Sequence, residues 1–361
     1  MIAARSPAAR IAVALAAGLL SSACAQPTTP PEGVRVLGER TLPWGTTFQN
    51  TTVGGLSGLD YDARSGQWVF ISDDRSQHQP SRTYTAQIDV RADGLGDWRL
   101  TGTHPLLRPD GKPYPEDAVD PEEVRFDPRS HELRWTAEGD RDRPADPSIR
   151  SAAPDGGFRG ELPLPPNLAM RPGSGPRDNE SLESLTFAAG GSLLISAVES
   201  TLLQDGEPPD PERGALSRVT VQDRAGRVSA QHAYPVDPVF ARGGGDNGIA
   251  SILADERDPS RLLVLERAYV PGAGNSVRVY EADPRGATDV RHLGSLRGTE
   301  VAPMRKRLLA DLSGLGLSTV DNVEGIAWGP RLPTGEHTLA LVSDNNFSPA
   351  QTTQLIALAV R

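Results

Sequence analysis

The sequence predicts an all-β protein, a β-propeller whose four-stranded blades surround a central channel. A phrase of two strands recurs along the chain, and its clearest copy covers residues 179–199, with an acid before the first strand and another after the second. The copies begin at Ser57, Glu123, Glu183, Ile249 and Glu324. Self-similarity at such a period, with short apolar or alternating runs between turn residues, is typical of propeller blades.

The spacing of the copies sets the size of each unit. Successive copies begin 66, 60, 66 and 75 residues apart, which is room for about four short strands each. We therefore predict five blades, and a sixth blade remains open. A large β-sandwich is the alternative architecture, and the repeat argues against it.

The remaining elements follow in chain order. Strands are predicted at Val34–Leu42 and Thr46–Val53, and Val34–Leu42 should complete the last unit and close the ring. Met304–Leu312 has apolar residues at helical spacing and is predicted to be a helix. The predicted outer strands are Thr83–Val90, Trp98–His104, Ala215–Gln222, Arg227–Tyr234, Ser276–Ala282, Val290–Leu296 and Thr353–Val360.

Residues 1–25 have the pattern of a secretion signal. Arg5 and Arg10 precede an apolar core that is too short to span a bilayer, and small residues follow it. Ala23-Cys24-Ala25 fits ordinary cleavage, whereas Cys24, the only cysteine, fits lipidation in a bacterial lipoprotein, and both remain open. We expect an exported protein that is periplasmic, secreted or anchored to the outer envelope through Cys24. A flexible Pro/Thr-rich tether is expected at 26–33 and one propeller domain at 34–361.

The chain is acidic, with a net charge of −10 that becomes −12 when Arg5 and Arg10 are left out. Phosphate backbones require a basic face, so we expect no nucleic-acid partner. No stretch after residue 25 is long and apolar enough to predict a transmembrane helix. The sequence has neither a G-x-S-x-G elbow nor a P-loop, and its six histidines lack paired metal-ligand spacing. Nothing in it sets the oligomeric state.

Acidic residues occupy the same places in successive units. The inner strands of a propeller line its channel, so these acids should surround one end of the channel. So many carboxylates repel one another unless a cation, an arginine or a proton intervenes, and their oxygens suit calcium or magnesium. The acids are Asp73, Asp74, Glu123, Glu138, Glu183, Glu199, Glu266, Glu324 and Asp344.

Structural roles remain open for the individual residues. An acid at a strand end can cap local amides, and the segment Asp344-Asn345-Asn346-Phe347 also fits an Asx-rich turn. Ser57 and Ile249 stand where other units have glutamate, which argues against a complete acidic ring.

Several segments resemble one known family. They are 179–185, Leu265-Glu266-Arg267, 306–309, 322–326 and 342–347, of which the last two are the most specific. Over residues 35–361 the chain resembles the secreted bacterial phytase-like domain, also called the esterase-like activity of phytase family. The resemblance implies a β-propeller and a phosphoester hydrolase whose acidic residues carry the activity.

We therefore expect metal-dependent hydrolysis of phosphoric mono- or diesters at the acidic mouth of the channel, on a small anionic substrate. The expected cofactor is a divalent cation, Ca²⁺ ahead of Mg²⁺ and Mn²⁺. Two alternatives remain, a noncatalytic envelope binding platform with structural calcium and a sugar or lactone hydrolase. The expected catalytic residues are Glu123, Glu183, Glu324 and Asp344, the substrate-binding residues Arg125, Arg267, Lys306, Asn345 and Asn346, and the metal ligands Asp73, Glu138, Glu199 and Glu266.

Overall fold

The computed structural model of the protein describes residues 33–143 and 145–361. In this part of the chain, five four-stranded antiparallel sheets hold twenty of the twenty-two strands, and each sheet is one blade. The five-bladed propeller is therefore confirmed. The predicted signal at 1–25, Cys24 and most of the predicted tether lie outside the described residues.

The strands follow one another from the inner to the outer edge of blades 1 to 4. The chain enters through β1 (Val34–Leu42) and a short hairpin, β2 (Thr47–Phe48) and β3 (Thr51–Thr52), which replaces the strand predicted at Thr46–Val53. Blade 1 contains β4 (Leu56–Asp62), β5 (Gln67–Ser72), β6 (Arg82–Arg91) and β7 (Gly94–Pro105). Blade 2 contains β8 (Pro121–Phe126), β9 (Leu133–Ala137), β10 (Ser148–Ala152) and β11 (Phe158–Leu162).

Blade 3 contains β12 (Ser184–Ala188), β13 (Leu193–Ala197), β14 (Ala215–Asp223) and β15 (Val228–Val236). Blade 4 contains β16 (Asp246–Ala254), β17 (Leu262–Val270), β18 (Gly274–Asp283) and β19 (Arg305–Asp311). Blade 5 contains β20 (Val323–Trp328), β21 (His337–Ser343) and β22 (Thr353–Val360), with β1 as its outer strand. Two 3₁₀ turns, Pro166–Leu168 and Leu312–Gly314, are the helical segments of the described chain, and neither could cross a membrane.

The pairing of β1 with β22 closes the ring. The ladder runs from Val34↔Val360 to Leu42↔Thr353, so the first strand of the domain completes the sheet formed by the last three. Backbone hydrogen bonds thus hold the two ends of the domain together, as the sequence predicted.

Two predicted elements of blade 4 are wrong. Arg305–Asp311 is strand β19, not part of a helix, because its backbone groups pair with β18 and supply the fourth strand of the sheet. Val290–Leu296 is not a strand but a loop, in which the carbonyls of Val290 and Leu293 accept hydrogen bonds from Arg218. In both places tertiary pairing decides the conformation over the local apolar pattern.

The hydrophobic core is divided among the five interfaces between neighbouring blades. Blades 1 and 5, for example, share a cluster in which Trp68 and Phe70 of β5 pack with Leu355 and Ala357 of β22. Because a middle strand is covered by a blade on each face, β5 and β22 are apolar on both faces. Packing between blades therefore fixes the angle at which each inner strand reaches the channel.

The centre of the channel is filled by an ion pair, which we call the central bracket: Glu123 and Arg125 of β8. The guanidinium binds both oxygens of Glu123 at 2.8 Å, and both side chains are at most 2% exposed. Arg125 also donates to inner-strand carbonyls of three other blades, those of Leu59, Ile252 and Ile326. The bracket therefore ties four blades together and separates the two mouths of the channel.

Candidate functional site

One backbone contact recurs in four blades and places an acid at the same mouth of the channel. An acid one or two residues after the second strand donates its N–H to a carbonyl one to three residues before the inner strand. The pairs are Asp73 to Gly55 (2.8 Å), Glu138 to Asp120 (3.1 Å), Glu199 to Ser181 (2.7 Å) and Asp344 to Asn322 (2.9 Å). The repeated phrase of the sequence thus corresponds to a repeated local geometry.

A β-bulge in the inner strand of two blades supplies the first acid of the phrase. In blade 5, Glu324 is the unpaired residue between Val323↔Ser343 and Gly325↔Val342. In blade 2, two residues, Glu122 and Glu123, lie between the paired positions Pro121 and Val124. A bulge changes the direction of a side chain, and here Glu122 reaches the mouth whereas Glu123 enters the central bracket.

These acids line a cavity of about 250 Å³ at the mouth, which we call the acidic cavity. Eight carboxylates and only two guanidinium groups face it, so its negative charge is largely uncompensated. Its lining consists of Asp73, Asp74, Arg75, Gln77, His78, Asp120, Glu122, Glu138, Asn179, Glu183, Glu199, Arg267, Glu324, Asn346 and Phe347.

Two groups of three acids in the acidic cavity have the spacing of a metal site. Asp120, Glu122 and Glu138 form one group, and Glu138, Glu183 and Glu199 form the other, with ligand oxygens within 4.8 Å of one another. Glu138 belongs to both groups and is oriented by the backbone N–H of Ser181 at 2.6 Å. Oxygen-only donors in this number fit a hard divalent cation such as calcium or magnesium.

The electrostatics of the acidic cavity favour a bound cation. Burial is the largest cause that raises the pKa of the lining acids other than Asp74, and neighbouring carboxylates add to it at Asp73, Glu122 and Glu183. The pKa of Asp74 is instead lowered, because the hydrogen bond from Arg82 and those from backbone N–H groups outweigh burial. The pKa of Asp120 rises to about 7 and that of Asp344 to about 8. At neutral pH these groups therefore hold protons or require a positive charge among them.

Arg267 of β17 is the basic residue at the side of the acidic cavity. Its Nη2 lies 3.2 Å from Glu199 and 3.5 Å from Glu324, and its Nη1 lies 3.5 Å from Asp246. Burial opposes its charge, but these carboxylates outweigh burial and raise the pKa of Arg267. Arg75, which lies 3.5 Å from Asp120, is the second basic group.

Strained backbone surrounds the acidic cavity. Asn179, Asn346 and Phe347 have φ of 53°, 45° and 49°, in the left-handed region that is costly for residues with side chains. The ring of Phe347 stacks on His78 with 4.3 Å between centroids. On its other side it lies against Gly55, where an added Cβ would meet the ring at 2.7 Å. Such strain persists only where the surroundings enforce it, and it concentrates at functional sites.

The structure brings most of the predicted site residues together. Asp73, Glu138, Glu183, Glu199, Arg267, Glu324 and Asn346 line the acidic cavity. Asp344 and Asn345 are buried beside it, where Asp344 raises the pKa of Asp73 and Asn345 accepts a hydrogen bond from Gly55. Their proposed roles as catalytic, binding or metal-holding groups remain predictions.

Four predicted site residues lie elsewhere. Glu123 and Arg125 bind one another in the central bracket. Glu266 accepts hydrogen bonds from Tyr234 and Asn247, and Lys306 binds the same carboxylate. Both carboxylates are already paired within the protein and do not line the acidic cavity.

Several residues of the acidic cavity were missed by the sequence analysis, notably Asp120, Glu122, Arg75 and His78. Asp120 and Glu122 could have been suspected, because Asp-Pro-Glu-Glu at 120–123 concentrates three acids at the start of a strand. Arg75 and His78 belong to the loop between β5 and β6, and no local pattern signals its direction.

The described fold and site define a five-bladed propeller with a candidate cation site at one mouth of its channel. The family model for phytase-like proteins, described as esterase-like activity of phytase, matches residues 51–347. The chain therefore belongs to this family. A search of curated proteins finds no match.

The solved structures that match this chain show low sequence identity to it. An endo-1,4-β-xylanase from Bacteroides thetaiotaomicron VPI-5482 is 12% identical over 84% of this chain and 90% of its own, with a TM-score of 0.46. The catalytic domain of a GH62 α-L-arabinofuranosidase from Coprinopsis cinerea is 9% identical over 90% and 96%, with a TM-score of 0.46. A thermostable family-43 glycoside hydrolase is 14% identical over 86% and 92%, with a TM-score of 0.48.

Proposed function

We propose that this protein is a hydrolase of phosphoric esters whose acidic cavity holds a divalent cation, with calcium as the first choice. The observation that carries the proposal is the pair of carboxylate groups that share Glu138, in a cavity with eight acids and two bases. Membership of the phytase-like family supports hydrolysis as the reaction class. A phosphate could enter so acidic a cavity only with a cation in place, because the carboxylates alone would repel it.

The donors fall into distinct roles in this proposal. Asp120, Glu122, Glu138, Glu183 and Glu199 would hold the cation. A bound cation neutralises phosphate oxygens and lowers the pKa of an attacking water. Arg267 and Arg75, which line the cavity, would bind the remaining phosphate oxygens, since guanidinium groups match phosphate geometry.

Glu324 is the candidate for proton transfer. Its Oε1 accepts a hydrogen bond from Asn322 Nδ2 at 2.9 Å and lies 3.5 Å from Arg267, so its position is fixed. Burial raises the pKa of Glu324, with Arg267 opposing the rise. A carboxyl group with a raised pKa can donate a proton to a leaving alkoxide at near-neutral pH.

The test is hydrolysis of chromogenic phosphomonoester, phosphodiester and carboxyl ester substrates. The purified protein is first treated with a chelator and then assayed with calcium, magnesium or manganese restored. We expect turnover of a phosphoric ester to return with a divalent cation. Glu183→Gln should lower kcat by about 10²-fold or more, as loss of a central electrostatic group does.

Glu266→Gln is the control with the same chemical change, because Glu266 is a buried glutamate that lies outside the acidic cavity. It should retain turnover, and melting curves of both variants verify folding. Absence of turnover with every metal, together with a melting temperature raised by calcium, would reject the hydrolase and support a noncatalytic binding platform.

A further inference from the structure

The opposite mouth of the channel contains a second, larger cavity of about 760 Å³. All five blades contribute to it through the ends of their inner strands and the turns that follow. Arg125 of the central bracket lines it, so the bracket stands between this cavity and the acidic one. Its volume lies in the range of small-molecule sites. The function proposed above makes no use of it.

The walls of this second cavity are partly aromatic. Tyr61, Phe126, Phe187 and Trp328 line it, and each comes from a different blade. Aromatic side chains of this kind pack against the C–H face of an organic ring, and they do so without requiring charge. Each ring also packs into a hydrophobic core between blades, so only part of it is open to the cavity.

The charged groups of the second cavity are mostly paired with one another or with neighbours. Asp127 binds Arg224, Asp255 binds Arg257 at 2.8 Å, and Glu256 lies 3.2 Å from His337. These pairs leave little charge available for an ionic ligand. The cavity thus differs in kind from the acidic cavity, where acids greatly outnumber bases.

Two polar groups in the second cavity remain available, a half-buried carboxylate and a buried guanidinium nitrogen. Asp60 accepts a hydrogen bond from the N–H of Phe126 at 2.8 Å and takes part in none of the ion pairs of the described chain. The Nε of Arg125, in a side chain only 2% exposed, has no hydrogen-bond partner among the described residues. A buried donor without a partner is unfavourable by about 1–3 kcal/mol and points to an unseen acceptor. Burial raises the pKa of Asp60 to about 6, with Arg125 the first opposing influence.

We propose that this second cavity binds one saccharide residue, with its ring against the aromatic walls and its hydroxyls on Asp60 and Arg125. A hydroxyl can donate to the carboxylate and accept from a guanidinium N–H, which neither an amine nor a carboxylate ligand can do at both groups. A neutral ring also avoids the repulsion that Arg125 would exert on an organic cation. The site is independent of the hydrolase proposal.

The experiment is ligand-observed saturation-transfer NMR on the purified protein, followed by titration. The probes are glucose, xylose and galactose, with benzylamine as the cationic arm and benzoate as the anionic arm. We expect at least one saccharide to bind. Asp60→Ala should weaken it by about tenfold or more, the range for hydrogen bonds to a charged group. Phe187→Ala should weaken it as well.

Two variants keep the result interpretable. Asp60→Asn retains an oxygen for the N–H of Phe126, so it controls for folding, and it should weaken binding less than Asp60→Ala. Glu183→Gln alters only the acidic cavity and should leave saccharide affinity unchanged. The proposal fails if no saccharide binds, if only benzylamine or benzoate binds, or if Glu183→Gln rather than Asp60→Ala removes binding.

Discussion

The central bracket and the acidic cavity both bury glutamates, but they treat the charge in opposite ways. Glu123 accepts hydrogen bonds from both terminal nitrogens of Arg125, each at 2.8 Å, and from the hydroxyl of Ser251. Glu122, its neighbour in the chain, faces acids instead. Burial raises the pKa of both residues, but Arg125 and Ser251 oppose the rise at Glu123, whose pKa is about 8, whereas Glu183 and Asp120 add to the rise at Glu122. One bulge in β8 thus sends adjacent residues into a compensated and an uncompensated environment.

The comparison separates residues that stabilise the fold from residues whose charge a bound ligand would compensate. A buried charge with a bidentate partner is part of the structure, and removing one member leaves the other unpaired. A group of buried acids without enough bases lowers stability until a cation binds. Neutralising a charged side chain should therefore lower the stability of the protein in the central bracket and raise it in the acidic cavity.

The largest effect is expected in the central bracket. Arg125→Met removes the guanidinium that binds Glu123 and three inner-strand carbonyls, and should lower the free energy of unfolding by about 3–5 kcal/mol. Urea denaturation of wild type and variant measures it. Arg305→Met is the control, because Arg305 pairs with Asp283 at the surface and should leave the midpoint unchanged. A midpoint for Arg125→Met equal to that of the control would show that the bracket is not structural.

A smaller loss of stability, caused by a rise in pH, is expected from the acidic cavity. The pKa values of Asp120 and Asp344, about 7 and about 8, lie above the values near 4 of unfolded chains. The folded protein then binds more protons, so its stability is full below about pH 4 and is lost as pH rises through 7 and 8. We expect the chelator-treated protein to lose stability, on the order of 2 kcal/mol, between pH 5 and pH 8.

Calcium and one substitution test this pH dependence. Calcium should reduce the dependence of stability on pH. It should stabilise the protein most at pH 8, where the acids have lost their protons and their charges repel one another. Glu138→Gln should reduce this dependence without calcium, because Glu138 takes part in both carboxylate groups. Urea midpoints across pH, with and without calcium, provide the measurement. If the urea midpoint of the chelator-treated protein instead rises toward pH 8, the raised pKa values of Asp120 and Asp344 are contradicted.

The sequence predicts the blades better than it predicts the side-chain directions. The repeat gives five blades and the closing strand, because both follow from apolar runs and from spacing along the chain. It misplaces Glu123 by one position, because a bulge that inserts an extra residue leaves no signature in the local pattern. Glu266 is misplaced in the same way, since the β16–β17 ladder continues past it and turns Arg267 to the acidic cavity.

Loops set a further limit on such predictions. Arg75 and His78 reach the acidic cavity from the connection between β5 and β6, whose conformation depends on Asp74. The carboxylate of Asp74 accepts N–H bonds from Gln77, His78 and Gln79 and binds Arg82 at 2.6 Å. These bonds hold the loop against the mouth, and they follow from contacts within the folded blade rather than from an apolar period.

The smallest effect is expected at Lys306, which the sequence placed at the substrate site. Its ammonium binds Glu266 and lies 2.7 Å from Asp237, and it stands 4.2 Å from the ring centre of Tyr280. Those groups already neutralise its charge and keep it between blades 3 and 4. Lys306→Met should therefore leave kcat/KM for a phosphoric ester within about twofold, because a satisfied ion pair outside the cavity contributes no binding to the transition state.

Arg267→Met, the matched change of a cation that does line the acidic cavity, should reduce kcat/KM by about tenfold or more. Equal losses in the two variants would mean that the substrate extends to blade 4 beyond the acidic cavity.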